Sequence, residues 1–305
     1  MKLSERSGLD TGPEVVREAL FVLRRRMVNR LEKVKPEQWF APTRCAEWSV
    51  QDVVRHLVDF GRYDIARLTG SRELAFYEEQ VFVPSRTPTA WLTRSAGQTP
   101  KETFAALARL GHEEYVSFGA RIGRDDADLS GAVPQRQVHW SVRSLHVLWD
   151  AWLHERDLAT VCGPAEPEDT DLFRLVIAYG LLLAAAVAVR TGPLPHATVL
   201  LAGAPDAAYR IGGDLWNVEV ETLTAQDAAT ADGPRLAGTA PVVLDSLAGR
   251  GAPLAAVLSG PAPVLDRLMQ FPRLMDPETF LSADDMGCGI LPSCGCGSHA
   301  VATCS

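Results

Sequence analysis

Little in this sequence would attract a polyanion. Over 305 residues the formal net charge is -8, and no run of Lys and Arg is long enough to act as a basic arm, so nucleic acid is excluded as an expected partner. The opening stretch MKLSERSGLDTGPEVV contains no apolar core of signal-peptide length. The longest apolar run, LVIAYGLLLAAAVAV at 175–189, falls short of the roughly 18 to 20 residues needed to cross a bilayer. It is read as a buried helix, and no membrane and a cytoplasmic location are expected. What is present is an ordinary globular balance, 47% apolar and 22% charged, which excludes wholesale disorder. The length favours two domains over one.

Helical patterns dominate the first half. Residues 13–34 open with Pro13 after Gly12 and repeat apolar positions at Val16, Leu20, Leu23, Met27 and Leu31. In CAEWSVQDVVRHL, Ser49 as N-cap with Asp52 three residues on resembles a capping box. Trp48 and Val53 can form the hydrophobic staple, and the helix should run from about Val50 to Ala66. A third helix follows Thr99 and Pro100 through Phe118, and a fourth spans the region from Ser141 to just before Gly163. Four such helices predict an antiparallel bundle. The 67–98 connection is too long for a simple turn, and loops of that length usually cover a site or an end of the bundle. After the apolar helix near 171–190 the pattern changes to strand-length runs punctuated by Gly: ATVLLAG, AAYRIGG and LWNVEVETL, followed by short helical patterns. This predicts an α+β chain, with a small α+β domain second.

The stretch VLWDAWLHERDLA, 147–159, raises a sharper question. At 100° per residue His146, Asp157, Asp150 and His154 fall within an arc of about 80°, beside an apolar face formed by Leu148, Trp149, Trp152 and Leu153. The four-residue spacing of Asp150 and His154 lets a carboxylate oxygen and an imidazole nitrogen reach one ion, which then needs a third ligand from a facing helix. His56, among Val53, Leu57 and Phe60, is the leading candidate. The competing reading is a core histidine satisfied by one hydrogen bond, for which Asp59 could be the acceptor.

WFAPTRCAEWSVQDVVRHL resembles the W-x-x-P-T-x-C-x-x-W-[ST]-V-x-D-V-V-x-H-L signature of the mycothiol-dependent maleylpyruvate isomerase family, one of the DinB-like metal-binding bundles. LWDAWLHERDLA resembles its later E-x-x-x-H-x-x-D segment. LAGRG at 247–251 and VLSG at 257–260 resemble the late L-x-G-R and V-x-S-G of the sterol-carrier-like second domain found in that family. The resemblance implies a DinB-like four-helix bundle over 1–165 and a small α+β domain including its linking helix over 166–280; residues 281–305 are read from their glycines as a flexible Cys-rich tail.

It also implies a divalent metal, zinc, on His56, Asp150 and His154, with Asp157 orienting a ligand histidine through its other ring nitrogen. Asp150 stands where the family has Glu; being one methylene shorter, it needs a closer helix or a bridging water. Asp52 reads as the capping carboxylate and Cys45 as a packed small residue. Arg250 has two readings, a catalytic-site arginine that binds a substrate carboxylate bidentately or a surface arginine after a helix.

The implied activity is thiol-dependent isomerisation or S-transfer, with mycothiol or a similar low-molecular-weight thiol acting on a small electrophile. An open coordination position would let the metal's field deprotonate the thiol.

The family signature ends before CGILPSCGCGSHAVATCS, which holds Cys288, Cys294, Cys296 and Cys304, four of the six cysteines. Their spacing matches neither a zinc ribbon nor a zinc finger. With His299 they could bind and pass on a soft metal. Alternatively, with Ser293, Ser298, Thr303 and Ser305 after Asp284 and Asp285, they resemble the core of a ribosomally made peptide. The folded part would then be its leader and a tail-modifying enzyme its partner.

Overall fold

The computed structural model describes residues 13–45, 48–77, 87–122, 140–164, 169–206, 208–214 and 217–271. The four tail cysteines and the middle of the 67–98 connection lie outside them.

Helix α1 (Pro13–Leu31) buries Val16, Leu20, Leu23, Met27 and Leu31, the stripe its sequence period predicts. It ends three residues earlier than the pattern suggested. Helix α2 (Val50–Thr69) starts at the capping box: Ser49 Oγ accepts from the Asp52 amide, and the Ser49 amide donates to Asp52 Oδ2 at 3.1 Å. It runs three residues past Ala66 and stops where Gly70 takes a left-handed φ of 66°. Helix α3 (Pro100–Gly119) repeats the device with Thr99 and Glu102. Helix α4 (Trp140–Asp157) gives way at Leu158 to a separate short turn, Ala159–Cys162, so the expected single helix to Gly163 is two pieces. Helices α1 and α2 each pack on both α3 and α4. Between α1 and α3 lies a buried bidentate pair in which Arg24 Nε and Nη2 donate to Glu114 at 2.9 Å each.

Helix α5 (Thr170–Ala188) opens on Asp169, whose carboxylate accepts from the Asp171 and Leu172 amides. Together with the turn that continues it to Thr191, it is 22 residues long and apolar enough to cross a membrane by length and composition. That corrects the shorter span read at 175–189; the helix gains its extra length from flanking residues. Yet 89% of its most apolar window is buried inside the protein. One side meets α4 and α1, the other the sheet.

That sheet comprises β1 (Leu194–Ala202), β2 (Ala208–Gly213), β3 (Val218–Leu223), β4 (Arg235–Thr239) and β5 (Leu258–Ser259), in the order β3-β2-β1-β4-β5. Only β1 and β4 pair in parallel. Helix α6 (Ala240–Leu247) follows β4, and α7 (Ala262–Leu268) closes the described chain. The chain is α+β. One apolar cluster runs without a break from α1 through α5 into the sheet.

Candidate metal centre

Helices α2 and α4 bring His56, Asp150 and His154 together, with one ligand atom from each lying within 4.8 Å of the others. The Asp150 carboxylate sits between the imidazoles: Oδ2 is 3.3 Å from His56 Nε2 and Oδ1 is 3.5 Å from His154 Nε2. The Asp150 side chain, one methylene shorter than Glu, thus contacts both rings. His56 and His154 are each 4% exposed, and their ring centroids are 4.7 Å apart. Trp48 covers the pair, tilted against His56 at 5.0 Å and stacked over His154 at 5.9 Å.

The Asp150 carboxyl feels two opposing influences. Burial pushes it up, but the His154 and His56 imidazoles hold it well below the usual carboxylate range. Burial dominates at His154 and pulls the imidazole down, favouring its neutral, ligating form. His56 Nδ1 is buried with no hydrogen-bond partner, and Asp150 Oδ2, also buried, has only its 3.3 Å ion-pair contact with His56 Nε2. Asp59, the alternative partner for His56, does not satisfy Nδ1; its own Oδ2 is buried and unpartnered.

The donors fit a cation. A tetrahedral ion with bonds of roughly 2.0 to 2.2 Å sets its donors roughly 3.4 Å apart, within the 4.8 Å that bounds the three ligand atoms; each imidazole lies at 3.3 or 3.5 Å from one of the two Asp150 oxygens. Two imidazole nitrogens and a carboxylate oxygen form a ligand set that suits zinc. His146, on the same predicted edge, lies outside this group, with its ring against Phe60 and Tyr179 at 5.6 and 5.8 Å.

Behind His154 is a second polar layer. His154 Nδ1 lies 3.0 Å from Asp157 Oδ2, so the ring donates there and presents Nε2 to Asp150. Asp157 is fully buried, and although burial raises its carboxyl, the His154 hydrogen bond and Arg250 hold it well below the usual range. Cys45 Sγ donates to the same Oδ2 at 3.0 Å. Burial pushes this thiol up to about 12, which deprives it of nucleophilic character near neutral pH.

Arg250 reaches the layer from the turn after α6, where Gly249 and Gly251 hold left-handed φ of 73° and 83° on either side of it. Its Nε donates to Asp157 Oδ1 and Oδ2 at 3.0 and 2.9 Å; the remaining nitrogens face Ala248 O at 3.3 Å and Cys45 Sγ at 3.5 Å. Sequence reading missed the neighbouring contacts of Asp245, which pairs with Arg156 at 2.6 Å and Arg44 at 3.1 Å. No periodic signal links α6 to α4, because such pairs arise only once the two halves dock.

Residues 20–159 match the family described as Mycothiol maleylpyruvate isomerase N-terminal domain. The crystal structure of the mycothiol-dependent maleylpyruvate isomerase aligns with a TM-score of 0.54 and 12% identity, over 83% of this chain and 95% of that one. A histidine-to-alanine mutant of the mycothiol-dependent maleylpyruvate isomerase aligns with a TM-score of 0.53 and the same identity and coverage. At this identity the likeness establishes a shared fold. No curated protein matches the chain.

Proposed function

From the match of residues 20–159 to the mycothiol maleylpyruvate isomerase N-terminal domain, we propose that the protein is a metal-dependent isomerase or S-transferase using mycothiol or a similar thiol. Its substrate would be a small electrophile with a conjugated double bond, of which maleylpyruvate is the first to try, and it would act in the cytoplasm, where small thiols are kept reduced. The observation that supports this reading is that His56, Asp150 and His154 each bring one ligand atom to within 4.8 Å of the others. These three would hold a divalent metal, zinc by donor chemistry. When bound, such a metal supplies a field that lets an entering thiol lose its proton at neutral pH.

The chain's own residues prepare that site. Asp157 fixes the proton on His154 Nδ1 and keeps the Nε2 lone pair available. Asp150 stays ionised between the two rings. Trp48 packs its ring against both imidazoles. Thiolate addition to one carbon of the double bond leaves a single bond that can rotate. The addition places the electron pair on the conjugated carbonyl as an enolate; its collapse with expulsion of the same thiolate gives the trans isomer with no net change in atoms, whereas return of the thiol's proton to the enolate carbon keeps the adduct and gives S-transfer.

Metal analysis of the wild type and His154→Ala tests the proposal, alongside mycothiol-dependent turnover of maleylpyruvate. One metal per chain is expected in the wild type, with a hold in the variant weakened by more than the roughly tenfold that loss of an outer-shell partner alone costs. A wild type that never carries stoichiometric metal overturns the reading.

A second reading rests on the tail, where four of six cysteines fall in the last eighteen residues. In it the folded part is a leader for a modified peptide, or the tail handles metal without catalysis. Intact-mass measurement of protein made in its own host separates the cases. Loss of waters, added mass or cleavage near Gly287 supports the leader reading. An unmodified tail that can be deleted with activity retained rejects it.

A further inference from the structure

Arg250 belongs to the sheet half of the chain, whereas Asp157, Cys45 and His154 belong to the bundle half. The Arg250 side chain is 16% exposed and its guanidinium is committed on several sides: both Asp157 oxygens accept from Nε, and Nη1 and Nη2 face Ala248 O and Cys45 Sγ. The same Asp157 Oδ2 accepts from His154 Nδ1. A continuous chain of contacts therefore runs from the turn at 248–251 to the nitrogen pair of a ligand histidine. Two further ion pairs, Arg156 with Asp245 and Arg44 with Asp245, brace the same joint. Cys45, His154 and Asp157 would on their own form a second cation-sized group, and the Arg250 guanidinium supplies the positive charge that this group faces.

Building on the metal-site reading above, we infer that Arg250 is a positioning residue. Through Asp157 it orients the His154 imidazole for the metal, so docking of the sheet half onto the bundle and metal affinity are thermodynamically coupled. Removing the guanidinium leaves Asp157 free to turn toward Arg44, whose Nε is 3.9 Å from Oδ1, and loosens the hold on His154. Coupling of this kind is reciprocal: metal binding must tighten the turn that carries Arg250.

Zinc affinity of the full chain, measured by chelator competition, should fall roughly 10- to 100-fold in Arg250→Ala, the usual cost of losing support behind a ligand histidine. Arg250→Lys should fall between the two, because a single ammonium cannot reproduce the guanidinium's spread of donors.

Hydrogen exchange needs no variant to fold. In the wild type the Arg250 amide, which donates to Asp245 O at 2.7 Å, should exchange more slowly on adding zinc, and His56→Ala should abolish that effect. Equal zinc affinity in Arg250→Ala and wild type, with only a raised KM for the electrophile, overturns the inference in favour of a substrate-carboxylate role. A lowered Tm with unchanged zinc affinity overturns it in favour of a purely structural clamp, and exchange indifferent to zinc also counts against it. A wild type that binds no zinc overturns the metal reading itself, which distinguishes the two failures.

Discussion

Asp59 lies nearly a turn beyond His56 on α2, 2% exposed and with one carboxylate oxygen unpartnered. Burial raises its carboxyl to about 6, against the pull of His56, Arg94, Arg62 and Arg55. A raised folded pKa means that the native state binds the proton more tightly than the unfolded chain. The stabilisation is full below the unfolded value near 4 and is lost as pH rises through about 6. Metal-free protein should therefore lose roughly 3 kcal/mol of stability from this group between pH 3.5 and pH 7.5. Asp59→Asn should flatten that part of the profile in urea titrations; an unchanged slope would show that Asp59 does not titrate in this window. At the candidate metal centre the four-residue spacing of Asp150 and His154 was legible as a local signal, whereas the pairing with His56, 94 positions away, rested on the resemblance. The partners of Arg44, Arg156 and Asp245 were not, since no local pattern encodes a contact between residues 89 positions apart.

The helix starts were written in side chains that satisfy free amides, so Ser49 with Asp52 and Thr99 with Glu102 sit where the sequence put them. The ends were less legible. Helix α2 continues to Gly70, and α4 breaks at Leu158, where neither Gly nor Pro gives warning. The crossing of α2 and α3 depends on Gly61, because a Cβ there would meet Glu114 Oε1 at 2.5 Å and Leu110 Cδ2 at 2.7 Å. Gly61→Ala gains helix propensity but must push back the carboxylate that pairs with Arg24. Overpacking should win and cost about 1 to 3 kcal/mol. A thermal melt decides the sign: a raised Tm would mean that the helices can part without loss.

Across the whole molecule, the α+β character and the order of bundle before sheet were legible from the change in apolar period, and the unbroken core was not. Period tells which residues turn inward but not whether two sets of inward residues meet. The proposed division near residue 165 consequently separates regions of different pattern that share one apolar cluster. Helix α5 lies at that junction, covered by the bundle on one side and by strands made later on the other. Synthesis is vectorial, so the ribosome releases α5 before its second cover exists. About 70 more residues must follow before β5 is complete, a delay on the order of ten seconds. During that interval a nascent chain displays a helix long and apolar enough to pass for a membrane anchor. A chain truncated at residue 190 makes the interval permanent. It should sediment with aggregates or membranes on fractionation where the full chain does not, and a soluble truncated chain would show that the bundle alone can shield α5.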